Sequence, residues 1–278
     1  MPAEQIAESL AFINWTIFGG LAVGSLAAVV AGRLLTEATR GYLVFIALCA
    51  AAFGALAALS DGALPTLDGD LGIRSDPAWD GIRRAALTAL PALALAEAVA
   101  VGRARRNGLL AVASLGCVAV VIGAAALAWG GSALGSLALA VQLAAVSAAL
   151  GGVWAAMVLG HWYLVTPRLP EGPLVRFARW LTLVLAIQVA LFVAWTALGA
   201  GPSGSAGFGA LTGDWALFVW LRLLVGLVFP LVVSWAAIQT ARTRSMESAT
   251  GLLYINVGTI AAGAIVAAGL YFGAGLLV

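Results

Sequence analysis

Apolar residues fill eight stretches of the chain, at about 11–32, 42–60, 84–102, 108–129, 134–162, 177–200, 215–240 and 250–275, and most charged residues collect between them. Each stretch is close to the roughly 20 residues a helix needs to cross a bilayer. The runs are apolar all round, without the alternation over about ten residues that marks a barrel strand. The pattern therefore predicts an all-α, polytopic integral membrane helix bundle with eight transmembrane helices.

Charge gives the bundle a direction. The connections after spans 1, 3, 5 and 7 hold Arg33 and Arg40; Arg103, Arg105 and Arg106; Arg168, Arg176 and Arg179; and Arg242 and Arg244. The opposite side holds Arg74 and Arg83 in the loop 61–83 and Arg84 at its border with span 3, and Arg222 falls inside span 7. The positive-inside rule then puts the Arg-rich turns in the cytoplasm and both termini outside. Glu4, Glu8, Asp61, Asp68, Asp70, Asp76, Asp80 and Asp214 all fall on the outer side of that arrangement. Trp15, Trp129, Trp195, Trp215 and Tyr271 near outer ends, with Tyr42, Trp162, Tyr163, Trp180 and Tyr254 near inner ones, read as an interfacial belt. Trp154, Trp220 and Trp235 lie deeper and are expected to pack between helices.

Composition excludes the soluble alternative: 63% of the 278 residues are hydrophobic and 9% charged, against roughly 25% charged in a soluble domain. A single membrane domain over 1–278 follows, so any chemistry lies in the membrane or in partner subunits. All fourteen basic residues are Arg, which suggests a GC-rich bacterial genome, and no basic cluster is dense enough for nucleic acid. Cys49 and Cys117 sit in apolar runs, where a thiol behaves as a small hydrophobe. The first residues lack the basic region and cleavage site of a removable signal peptide. LDGDLG at 67–72 lacks the spacing of an EF-hand loop and reads as solvated. Spans 1 and 5 share a Gly pair upstream of a Gly and a polar residue, the mark of a weak 4+4 duplication over 1–130 and 134–278. Gly19, Gly20, Gly24 and the pair Gly151/Gly152 read as close helix approaches.

Ionisable groups within spans are costly and functional by default. Glu97, two-thirds of the way along span 3, is the candidate catalytic group, a carboxyl placed to relay protons; the plainer reading is a paired Glu that ties helices together. Arg222 is a candidate anion ligand, or else pairs with Asp214 or snorkels toward the outer interface. With Gln142 and Gln188 it forms the substrate-binding set of a permease. His161, the one histidine, ends span 5 beside Trp162 and Tyr163, and this trio suits a quinone head group; an interfacial His is the alternative. One histidine cannot supply both axial ligands of a bis-His haem, and no zinc motif or other metal site is legible. Asn14, Thr16 and Asn256 read as bonds between helices.

Two stretches resemble the polysulfide-reductase-type (NrfD-like) membrane subunits: IFGGLAVGSLAA in span 1, and VWLRLLVGLVFPLVV in span 7 with Trp220, Gly226 and Pro230. The likeness covers about thirty residues. It departs from the family at Arg222, in span 8, and in having Glu97 alone as an intramembrane acid. The resemblance implies a haem-free subunit of a bacterial inner-membrane redox complex. Such a subunit binds no covalent cofactor, exchanges electrons with quinone and works beside iron–sulfur or other redox subunits. A small-molecule permease or exporter and a non-catalytic scaffold are the competing readings.

Overall fold

The computed structural model describes Gln5 and residues 8–65, 75–105, 107–166, 168–204 and 207–278. Among these residues the chain is all-helical, without a strand. Eight helices are long and apolar enough to cross a membrane. They are α1 (Leu10–Leu35), α2 (Arg40–Gly62), α3 (Asp80–Gly102), α4 (Gly108–Trp129), α5 (Ala133–Val165), α6 (Gly172–Leu198), α7 (Ala216–Arg242) and α8 (Met246–Ala274). Local chemistry sets several ends. The side chains of Asn107 and Ser132 cap α4 and α5 by accepting from the backbone N–H groups of Leu110 and Gly135, as N-caps do. Gly199 and Gly275, at φ 61° and 65°, stop α6 and α8 in the left-handed conformation that glycine adopts without penalty.

Helices α1 and α5 occupy the centre. Each packs on the other and on α4 and α8, while α2 with α3 flanks α1, α6 flanks α5, and α7 packs on α6 and α8. The crossing of the two central helices rests on glycine. A Cβ on Gly24 would collide with the Ser147 carbonyl and come within 2.9 Å of the Gly151 Cα, and one on Gly151 would strike the Gly24 backbone. A Cβ on Gly20 would meet the end of the Leu150 side chain at 2.8 Å. Gly19 and Gly152 differ from the expectation: a Cβ there meets only Trp15 of its own helix, or open space. Outside this core, Leu109, Val112, Leu134, Leu183 and Leu217 are exposed, an apolar surface suited to lipid.

Helix α7 is interrupted. Residues Leu224–Val228 form one π-helical turn between the α-helical pieces Ala216–Leu223 and Phe229–Arg242. Pro230 has no N–H to offer the carbonyl of Gly226, and the ladder widens beside it by one residue.

Seven aromatic expectations change. Tyr42, Tyr163 and Tyr271 are buried, at 0%, 2% and 5% exposure, instead of lying in an interfacial belt. Trp15 and Trp129 are 3% and 1% exposed and belong to a packed cluster. Trp129 meets Trp15 edge-on at 4.7 Å and Phe272 at 5.3 Å, geometries that aromatic quadrupoles favour. Trp220 and Trp235 point outward, 43% and 57% exposed, because both lie on the face of α7 turned from the bundle.

Candidate functional site

Three polar groupings interrupt the apolar interior, and a fourth lies at the bundle surface. The first joins α1, α3 and α4. Glu97 lies five residues before the end of α3, about 8 Å along the axis, and is fully buried. Its Oε2 accepts from Arg33 Nη1 at 2.5 Å, and its Oε1 accepts from the Ser114 hydroxyl at 3.2 Å. Arg33 also donates to the Asn107 carbonyl at 2.8 Å. The pairing reading of Glu97 finds its partner, Arg33, on α1. Arg33 reads in the sequence as one more turn charge, yet α1 runs to Leu35 and keeps it helical.

The second grouping lies at the opposite end. Asp61 and Arg83, expected in an open loop, are 1% and 3% exposed, since α2 continues through Gly62 and α3 begins at Asp80. Asp61 accepts from Arg83 Nε at 2.6 Å, Trp15 Nε1 at 3.0 Å and Arg84 Nε at 3.2 Å. Arg83 also donates to Asp80 at 2.5 Å and lies 4.6 Å over the Trp129 ring, a cation–π contact. Charges here balance. The loop text at 67–72 lies outside the described residues.

The third grouping brings together two of the three residues expected to serve a permease. Arg222, about 9 Å into α7, is 2% exposed, and its Nη2 donates to Gln188 Oε1 on α6 at 2.7 Å. Gln188 Nε2 in turn donates to the Ala145 carbonyl on α5 at 3.1 Å. Arg222 Nε is buried without an acceptor. The pairing with Asp214 is not formed: among the described residues no carboxylate lies in salt-bridge range of Arg222. Snorkelling is likewise ruled out by the burial. Gln142 is elsewhere, donating to the Val278 carbonyl at 2.7 Å and accepting from Trp195 Nε1 at 3.3 Å. It borders a cavity of about 20 Å³, with another of about 10 Å³ nearby, both touching Thr16, Leu143 and Val146. Such volumes hold a water molecule.

The fourth grouping contains His161. Its Nδ1 lies 3.5 Å from the Tyr254 hydroxyl of α8, and both side chains are exposed. Trp162 is half-buried and meets Tyr42 edge-on at 6.5 Å. Tyr163 is buried, with its hydroxyl bonded to the Pro170 carbonyl. Consecutive helical positions diverge by about 100°, so the three neighbours face three environments and Tyr254 becomes the companion of His161.

Fold and interior together define a multi-pass integral membrane protein. No family model matches the chain, and neither the curated proteins nor the solved structures give a match.

Proposed function

We propose that the protein is an integral subunit of a bacterial inner-membrane redox complex and engages quinone at His161 without a haem of its own. The observation carrying this reading is the His161–Tyr254 pair. It is a polar pair left open on the bundle surface, at the end bearing the Arg-rich turns. The ionic groups of the interior are, by contrast, enclosed. A ring nitrogen and a phenol 3.5 Å apart suit a quinone carbonyl approaching from the lipid, and Trp162 on the next helical position offers a ring face. The quinone supplies two-electron, two-proton chemistry; His161 and Tyr254 orient its head group and exchange protons with it. Quinol bound there would give up two electrons and two protons, the electrons passing to a partner, an iron–sulfur subunit or its equivalent, docked at the cytoplasmic turns. Glu97, held by Arg33 and Ser114, serves this reading by positioning α1, α3 and α4.

The test is quinol-linked turnover of the intact complex with His161→Ala and Tyr254→Phe. The expected result is a raised KM for quinol with assembly unchanged; unaltered kinetics in both variants refute the site. A second reading, a permease for an anionic solute, is favoured by one observation, the buried Arg222–Gln188 contact, and predicts uptake into proteoliposomes that depends on Arg222.

A further inference from the structure

Among the described residues three arginines are held largely out of solvent: Arg33 at 10%, Arg83 at 3% and Arg222 at 2% exposure. Arg33 has Glu97, and Arg83 has Asp61 and Asp80. Arg222 has the neutral amide of Gln188, and its Nε has no acceptor. A guanidinium keeps its charge at any ordinary pH, and a buried charge is stable only when paired. The structure therefore holds a cation whose counter-charge does not come from the described part of the chain.

The first four helices show how such a site is completed. Arg83 stands eight residues before Pro91 in α3, and Arg222 stands eight before Pro230 in α7. Both reach back to the preceding helix for an acceptor, Asp61 on α2 and Gln188 on α6. The carboxylate of the first arrangement is an uncharged amide in the second. Space around Arg222 is narrow. The backbones of Gly226 and Gly263 meet beside it, where a Cβ on Gly263 would come within 2.5 Å of the Gly226 Cα and 3.0 Å of Arg222 Nη1. A bulky solute or lipid head group does not fit behind a side chain that is 2% exposed.

We propose that Arg222 and Gln188 form a binding site for a halide-sized monovalent anion, which takes the N–H of Arg222 Nε and supplies the missing charge. The site deepens the permease reading above but asserts binding alone, without transport.

The experiment uses the purified full chain in a neutral detergent and follows thermal unfolding by tryptophan fluorescence. Chloride is titrated against gluconate at constant ionic strength, with added phosphatidylglycerol as a separate arm. Wild type is expected to gain Tm saturably with chloride, as any ligand of the folded state produces. Gln188→Glu places a carboxylate where Asp61 stands for Arg83, so it is expected to fold and to lose the chloride response, its apparent affinity falling about tenfold or more. Arg222→Gln is expected to lose the response as well. Equal Tm of wild type in chloride and gluconate overturns the proposal. So does a chloride response retained by Gln188→Glu, which marks an adventitious ion only, or phosphatidylglycerol replacing chloride, which marks a lipid site. Chloride flux into proteoliposomes is read separately: binding without flux refutes the permease and leaves the anion site standing.

Discussion

Replacing Glu97 by Leu would remove the one carboxylate of the α1–α3–α4 junction. Arg33, 10% exposed, would keep its bond to the Asn107 carbonyl and lose its counter-charge, and Ser114 would lose its acceptor. Breaking a buried pair from one side costs about 3–5 kcal/mol. The lower end applies here, because Arg33 lies near the helix end and retains a carbonyl partner. Arg33→Leu alone strands the fully buried carboxylate and is expected to cost as much or more. Removing both partners is different: an apolar pair of similar volume is often neutral or stabilising, so the double variant is expected within about 1 kcal/mol of wild type by the same bookkeeping. Reversible unfolding in mixed micelles, arranged as a double-mutant cycle, measures all four states. The reasoning fails if Glu97→Leu costs under about 1 kcal/mol, or if the two losses simply add. Glu97→Gln, which keeps an acceptor for Ser114, is expected to lie between wild type and Glu97→Leu.

Two further results are expected. Gly24→Val is expected to abolish accumulation of folded protein, because its Cβ meets the Ser147 carbonyl, while Gly152→Val, open around its Cβ, is tolerated; size-exclusion profiles of tagged variants distinguish them. Asp61→Asn leaves Arg83 and Arg84 facing an amide and is expected to cost about 3 kcal/mol in the same micelle assay, with little change for Arg84→Gln, whose side chain is 58% exposed.

The eight helices were legible in the sequence because charge in this chain is so scarce that it marks nearly every turn. The same rule concealed the ion pairs. By sequence Arg33, Asp61 and Arg83 belong with the loops, yet α1, α2 and α3 extend to or past them, which turns apparent loop charges into enclosed ones. Arg222 and Gln188 stood out because nothing polar surrounds them in the text, and the structure joins them. Gln142 shared that signal, but its position on α5 points it to Trp195 and Val278 instead. The burial of Trp15 and Trp129, against the exposure of Trp220 and Trp235, could not be read from runs that are apolar on every face. Their helices carry no polar stripe to mark the outside.

The π turn of α7 also fixes a rotational phase. In an uninterrupted α-helix, residues eight apart are displaced by about 80° around the axis. One surplus residue winds that back by about 100°, so Arg222 and Pro230 come to within about 20° of a single line. That line faces α8, where the Arg222 guanidinium lies against Gly263 and the Pro230 carbonyl accepts from Asn256 at 3.2 Å. Deleting one residue from 224–228 would keep the span apolar and still long enough to cross the bilayer. It would nonetheless swing the guanidinium away from Gly263 and Gln188 by more than a quarter turn, so the length of this segment, as much as the identity of its residues, sets where the buried charge points.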